Sequence, residues 1–309
     1  MRTSHPSFLI NVNGTLFFKA NDGVHGPELW KSDSTAAGTV LVQDINIGSG
    51  GSDLLDPTNV NGRLFFTADD GIHGEELWTL FVSSPSIVDP YDLDGDGKAD
   101  ILWRKSSGLV AIWLMNGTAI ASTGFLGGVP TEWQIKGVGD VNRDGKGDVI
   151  WRHSTSGAVV VWLMNGVTMT SVGFPGSAST GWEIQAVGDV NGDGKADIVW
   201  RNSRGATAIW LMDGTTIASS GFPGGVPVVW RIEGVGDVNG DGTADVIWRH
   251  GTSGTVAVWL MNELMITSVG FPGSASNSWT INEVNDVDGD GKADIVWRNI
   301  NTGSTALWF

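Results

Sequence analysis

Five copies of one nine-residue acidic segment recur along this 309-residue chain: DLDGDGKAD (Asp92 to Asp100), DVNRDGKGD (Asp140 to Asp148), DVNGDGKAD (Asp189 to Asp197), DVNGDGTAD (Asp237 to Asp245) and DVDGDGKAD (Asp286 to Asp294). Their starts lie 48, 49, 48 and 49 residues apart. So constant a spacing means that each segment sits at the same place in a repeated structural unit. Positions 1, 3, 5 and 9 of every copy carry side-chain oxygens, and glycines kink the segment between them. Hard oxygen donors on a kinked loop are what Ca²⁺ requires.

The units between the acidic segments read as strands. In residues 182–224, WEIQAVGD is an extended run, the acidic loop follows, and ADIVWRNS resumes the extension. Arg204-Gly205 turns the chain into ATAIWLMDG, and TTIASSGFPGG completes the unit. Val, Ile, Trp and Thr dominate these runs, and Gly and Asn punctuate them. The middle strands, such as Ile198-Val199-Trp200 and Ala208 to Met212, do not alternate apolar with polar residues, so both of their faces are covered. Small sheets stacked face to face around an axis meet that demand, as in the blades of a β-propeller. No segment offers a convincing amphipathic helix.

A second period runs over the first. GFLGGVP (Gly124 to Pro130) returns as GFPGGVP (Gly221 to Pro227), and GFPGSAS recurs at Gly173 to Ser179 and Gly270 to Ser276, each pair 97 residues apart. This alternation points to duplication of a two-blade unit. The N-terminal region carries a different repeat of similar length. NVNGTLFFKANDGVHGPELW (Asn11 to Trp30) returns 48 residues later as NVNGRLFFTADDGIHGEELW (Asn59 to Trp78). Two such units and five acidic-loop units make seven. The expected fold is therefore all-β, a single domain over residues 1–309 forming one β-propeller of seven four-stranded blades. The outer strand of the last unit, which the sequence does not supply after Phe309, is expected from Met1 to Ser7 or is absent.

Composition narrows the function. The net charge is −16, and 17 of the 34 acidic residues lie in the five loops. One Ca²⁺ per loop would add about +10 and leave about −6, an ordinary value, so the acidity is mostly a ligand inventory. It argues against nucleic acid, which needs a basic face. No Lys/Arg run suits an anionic membrane, and no apolar run reaches spanning length. The chain has no Cys, which excludes disulfides, thiolate metal sites and Cys nucleophiles. The opening MRTSHPSFLINVNG lacks the apolar stretch of a secretory signal, so the signal was removed, the segment belongs to a longer chain, or export takes another route.

The five loops, each followed by ADIVWR, DVIWR or a close variant, resemble the FG-GAP/VCBS repeats of integrin-α-like propellers over about residues 86–309. In that family each loop joins the first two strands of a blade and holds one Ca²⁺. The resemblance implies up to five Ca²⁺ ions, with the position-7 residue contributing its carbonyl. The implied ligands are Asp92, Asp94, Asp96, Lys98 and Asp100; Asp140, Asn142, Asp144, Lys146 and Asp148; Asp189, Asn191, Asp193, Lys195 and Asp197; Asp237, Asn239, Asp241, Thr243 and Asp245; and Asp286, Asp288, Asp290, Lys292 and Asp294. The second loop departs from the pattern with Arg143 in place of Gly. Asn at position 3 of the second, third and fourth loops removes one negative charge from each. An EF-hand is rejected, because position 12 is Trp103, Trp151, Trp200, Trp248 or Trp297 rather than an acid, and the flanks are strands. The two N-terminal units, about residues 7–84, resemble ELW-type repeats of large bacterial secreted or surface proteins.

Residues demanded in every blade are expected to pack blade against blade. Trp103, Trp151, Trp200, Trp248 and Trp297 are such a set, and so are Trp113, Trp162, Trp210, Trp259 and Trp308. The recurring Arg104, Arg152, Arg201, Arg249 and Arg298 are expected in structural ion pairs or stacks. Trp133, Trp182, Trp230 and Trp279 open the first strand and are the better candidates for an exposed, ligand-binding face. His153 and His250 share one repeat position, and His25 and His73 another, which is repetition rather than a catalytic cluster. The chain lacks HExxH, GxSxG, a P-loop and a dinucleotide fingerprint.

The expected function is a non-enzymatic, Ca²⁺-binding extracellular or cell-surface module for adhesion or binding, with a glycan or cell-surface glycoprotein as partner. It is expected to be a monomer or part of a larger chain, without membrane insertion. The alternatives are a polysaccharide lyase built on a propeller, and a passive structural or protein-binding module of a larger surface protein.

Overall fold

The computed structural model describes residues 6–12, 15–32, 39–60, 63–81 and 91–309. Among them are 25 strands and no helix. The chain divides into two compact units, one of Met1–Ile87 with Asp288–Gly291, the other of Val88–Val287 with Lys292–Phe309.

The first unit holds two antiparallel sheets. The first sheet is β1 (Ser7–Val12), β2 (Thr15–Asn21), β3 (Pro27–Ser32) and β4 (Val40–Gln43), paired in sequence order. The other is β5 (Leu55–Val60), β6 (Arg63–Asp69) and β7 (Glu75–Phe81). β1 lies beside β5. Val12, Phe17, Leu29, Ile45, Leu54, Leu64 and Phe66 form the buried layer between the sheets.

The second unit holds five sheets. β8 (Ile101–Arg104), β9 (Leu109–Asn116) and β10 (Ala119–Gly128) form the first. β11 (Trp133–Gly139), β12 (Asp148–His153), β13 (Ala158–Asn165) and β14 (Thr168–Ser177) form the next. The same order repeats in β15 (Trp182–Gly188), β16 (Asp197–Asn202), β17 (Ala206–Asp213) and β18 (Thr216–Gly225). It repeats again in β19 (Trp230–Gly236), β20 (Asp245–His250), β21 (Thr255–Asn262) and β22 (Met265–Ser274). β23 (Trp279–Asn285), β24 (Asp294–Asn299) and β25 (Thr305–Trp308) close the series.

Neighbouring first strands lie side by side, β11 with β15, β15 with β19, and β19 with β23. The apolar layers lie between sheets rather than at one centre. Val199, Ile209 and Leu211 of one sheet pack with Val246, Trp248 and Met261 of the next, and Ile150 and Val161 pack with Ile198 and Trp200. This explains the unbroken apolar runs: five consecutive residues of β12, β16 and β20 are buried because each strand has a sheet on either side. The fold is of the all-β propeller class, built of antiparallel sheets, two among the described residues of the first unit and five among those of the second.

Three of the seven sheets have three described strands rather than the expected four. The first strand expected for the β8–β10 sheet falls on residues 82–90, outside the described residues. The proposed outer strand at Met1 to Ser7 falls mostly on residues 1–5, also outside them, and Ser7 itself opens β1.

Candidate metal centres and the faces around them

The acidic loops at 140–148, 189–197, 237–245 and 286–294 each join the first two strands of a sheet, and the loop at 92–100 leads into β8. The glycines at positions 4 and 6 take left-handed backbone, as at Gly192 (φ 73°) and Gly194 (φ 82°), which lets the loop coil on itself. The second loop reaches the same shape with Arg143 at φ 62°. A non-glycine residue there costs roughly 1–2 kcal/mol.

The position-1 aspartate organises the coil. Asp189 Oδ1 accepts from the amides of Gly192 (2.7 Å) and Asp193 (3.2 Å), and Oδ2 accepts from Gly194 (2.7 Å). Asp92, Asp140 and Asp237 accept from their own loops in the same way. Position 5 accepts from the amide of position 7, as Asp96 does from Lys98 and Asp193 from Lys195. In the second and fourth loops the position-3 amide reaches the position-5 carboxylate, Asn142 to Asp144 at 3.2 Å and Asn239 to Asp241 at 2.9 Å.

Position 9 has a further role that sequence reasoning missed. Asp148, Asp197 and Asp245 are fully buried. One oxygen of each accepts the position-2 amide and the other accepts an amide of the third strand. For Asp197 these donors are Val190 (3.1 Å) and Met212 (2.8 Å). The carboxylate thus ties the loop to the blade. Burial pushes the carboxyls of Asp148, Asp197 and Asp245 up to about 7, about 8 and about 6. In the fifth loop Asp294 accepts from Val287 at 3.0 Å, and Asp288 accepts from Asp290 at 3.0 Å.

The donors fit a hard cation. Carboxylate oxygens of Asp92, Asp94 and Asp96 lie within 4.8 Å of one another. Positions 3 and 5 face outward, half-buried or exposed, so water can complete a shell. All donors are oxygens and none is sulfur or imidazole, which suits Ca²⁺ over Zn²⁺.

The position-12 tryptophans are packing residues in four copies: Trp151, Trp200, Trp248 and Trp297 are each 1% exposed. Trp103 departs from that expectation at 46% exposed. Each pairs with the Trp of the adjacent strand at 4.6–4.9 Å between ring centroids, as in Trp200 with Trp210. The recurring arginines stack on the next blade. Arg104 lies over Trp151, Arg152 over Trp200, Arg201 over Trp248 and Arg249 over Trp297, at 4.9–5.3 Å. Arg201 also donates to the carbonyls of Val226, Pro227 and Trp230. Its partners are carbonyls and a ring rather than the loop carboxylates.

Trp133, Trp182, Trp230 and Trp279 are half-buried, each with one side against the apolar layer between blades. His153 and His250 meet Trp133 and Trp230 edge-on at 4.9 Å, and Trp182 lies 5.9 Å from Phe222. Beside this strand end a cleft of about 280 Å³ is lined by Thr180, Gly181, Glu183, Gln185, Arg201, Asn202, Ser203 and Val228. Phe125, Phe174, Phe222 and Phe271, at one repeat position of the outer strands, are 65–75% exposed. Sequence reading gave no weight to them, although GFLG and GFPG were plain.

The first unit has another kind of turn. Asp22 and Asp70 accept from the backbone two and three residues on, and their second oxygens meet His25 Nδ1 (2.7 Å) and His73 Nδ1 (2.8 Å). These contacts hold both aspartates at about 2 and raise both imidazoles. Glu76 comes within 4.0 Å of His73. Its counterpart Glu28 is buried and accepts from the amides of Ile45 and Asn46, and burial raises its pKa.

Among solved structures, the chain is similar to the Dos1 propeller (10% identity, 96% of this chain and 78% of that one, TM-score 0.42). It is similar to a chain of a nidogen/laminin complex (9%, 84% and 77%, TM-score 0.35). It is also similar to prolyl oligopeptidase B of Galerina marginata (10%, 98% and 49%, TM-score 0.41). The chain spans about half the length of the peptidases it matches. No curated protein matches it. The FG-GAP-like repeat matches residues 92–151, 140–200, 189–248 and 237–297, about two thirds of the chain in four overlapping copies that each run from one acidic loop to the position-12 Trp of the next. By that match, and by the loop-to-strand geometry beneath it, the chain belongs to the FG-GAP-like repeat family.

Proposed function

We propose that this FG-GAP-like propeller is a Ca²⁺-braced, non-enzymatic binding module working outside the cell or on its surface, with glycans as its partner class. The oxygen-only donor sets, with the Asp92, Asp94 and Asp96 carboxylates drawn together, carry the calcium reading. The ion would supply a fixed positive charge that holds each coil to its blade. The chain's own residues supply the rest, position 1 shaping the coil and position 9 anchoring it to the third strand. The resemblance of the N-terminal units to ELW-type repeats agrees with a surface setting, and among the described residues no helix is long and apolar enough to cross a membrane.

The glycan reading rests on the strand-entry corner around Trp182. Gly181 and Glu183, the chain neighbours of half-buried Trp182, line a cleft that carries a carboxylate, two amides and two hydroxyls from Glu183, Gln185, Asn202, Thr180 and Ser203. Sugars bind by such a mixture of ring contact and polar hydrogen bonds. A glycan-array screen with Ca²⁺ and with chelator tests it. Binding that needs Ca²⁺ and is weakened by Trp182→Ala in a folded protein supports the reading, and no glycan bound by the parent ends it. The four exposed phenylalanines favour a second reading, a protein-binding surface on the outer strands.

A further inference from the structure

We propose that the acidic loops bind their cations cooperatively, because each loop is hydrogen-bonded to the next through the backbone between two of its ligands. This rests on the calcium reading above.

The carbonyl of the position-1 aspartate in one loop accepts from the position-8 amide of the following loop. Asp92 accepts from Gly147 (2.7 Å), Asp140 from Ala196 (2.6 Å), Asp189 from Ala244 (2.6 Å) and Asp237 from Ala293 (2.6 Å). Four junctions in the same register make an unbroken series from the first loop to the fifth. The bond ties together parts that matter. Its acceptor belongs to the residue whose side chain shapes the first coil. Its donor lies between the position-7 carbonyl and the position-9 carboxylate of the second. The loops also touch elsewhere: a Cβ at Gly95 would lie 3.3 Å from the Gly145 carbonyl, and one at Gly192 would lie 3.2 Å from that of Gly242.

The place of this bond in both loops makes it a coupling rather than a mere contact. The Asp189 carboxylate accepts from three amides of its own loop, which leaves Oδ2 a lone pair for a cation. A cation held there fixes the position-1 residue, and its backbone carbonyl is fixed with it. The carbonyl sets the direction of the Ala244 amide and so of the flanking donors Thr243 and Asp245. A filled loop therefore leaves its neighbour closer to binding geometry, and linkage makes the effect reciprocal. Coupling between sites typically changes affinity 5-fold or more. Loops with two neighbours gain twice and end loops once.

The test is a Ca²⁺ titration of the whole chain, followed by calorimetry and by the amide resonances of the position-6 glycines. The parent should bind with a Hill coefficient above one. Lactic acid in place of Ala196 converts one amide to an ester and deletes the Ala196 N–H while keeping every proposed ligand. It should leave the number of ions unchanged and weaken the second and third loops about 5-fold. Asp193→Ala, in the middle of the series, should weaken the remaining sites more than Asp96→Ala at its end. A Hill coefficient of one, with the ester silent and the two alanine variants equivalent, overturns the coupling and leaves the calcium reading standing. A parent that takes up no Ca²⁺ overturns the calcium reading itself.

Discussion

The two units solve one problem with different chemistry. Both repeat with a period near 48 residues, and both use an aspartate to fold a glycine-rich turn. In the N-terminal unit the aspartate meets an imidazole, so Asp22 with His25 and Asp70 with His73 are locally complete. In the larger unit the aspartate is joined by two or three further oxygen donors, more than the amides of its own coil can use. A turn whose carboxylate already meets an imidazole asks less of the solution. The acidic loops hold more carboxylate oxygens than their local donors engage, although Lys98 reaches Asp96 at 2.5 Å and Lys195 lies 3.9 Å from Asp193; on the calcium reading proposed above, an ion from solution completes them. The first unit should therefore be indifferent to calcium and the second should depend on it.

Calcium removal is the largest test. At free Ca²⁺ about ten times Kd each site contributes roughly 1.4 kcal/mol, so five sites contribute about 7. Hydrogen exchange in EDTA should speed up in β11–β24 and stay unchanged in β2, β3 and β6. Equal loss in both units would erase the contrast.

Next come the joints between blades. Arg201→Ala removes a ring stack worth up to about 2 kcal/mol when desolvated, along with charge-assisted bonds to three carbonyls. A loss of about 3 kcal/mol is expected in denaturant unfolding, confined to the larger unit. Trp200→Ala should cost about 3–5 kcal/mol and Trp182→Ala less than half of that, since only the former is fully buried. Equal costs would mean that the strand-entry tryptophans are core.

Acidification should move the two units in opposite directions. Glu28, His25 and His73 have folded pKa values above their ordinary ones. Their contribution is fully present below the unfolded pKa and is lost as pH rises through the folded value. Lowering pH from about 7.5 to about 5.5 should thus strengthen the N-terminal unit slightly, mainly through the two histidines. In Ca²⁺ the same change works against the larger unit, because protons compete for carboxylate ligands, whereas in EDTA the raised carboxyls of Asp148, Asp197 and Asp245 give it the same sign as Glu28. Site-resolved exchange at the two pH values checks the signs. The smallest effect is expected from Arg143→Gly. It relieves about 1 kcal/mol of left-handed strain and should raise the melting temperature by a degree or two.

Most of the fold could be read in the sequence because repetition made it redundant. Five equivalent copies of ADIVWR or its variants fix the second strand, and an apolar run such as Val159 to Leu163 can only lie between two sheets. The turn residues were equally plain, since Gly192 and Gly194 are the residues a left-handed coil requires. Two kinds of information were not local. The backbone bonds that Ala196 donates to Asp140 and Ala244 to Asp189 involve no side chain, so no residue type announces them. The destination of Arg201 depends on a ring in the next blade, and the sequence pattern could say only that it would stack or pair. Trp103 shows the converse: its position in the repeat marked it as core, yet the ring is nearly half exposed, because burial belongs to neighbours rather than to the motif.

The arginine stacks all point one way along the chain, each guanidinium reaching the ring of the following blade. Every blade from β11 to β22 therefore carries both halves of the joint, a hand at one side and a hold at the other. A copied pair of blades brings compatible edges wherever it is inserted. The 97-residue echo, GFLGGVP in GFPGGVP and GFPGSAS in its own copy, is the trace that such growth leaves. Chains of this type can lengthen by duplication without inventing a new seam, and blades from different members should be exchangeable as long as the exchange keeps each hand beside a hold.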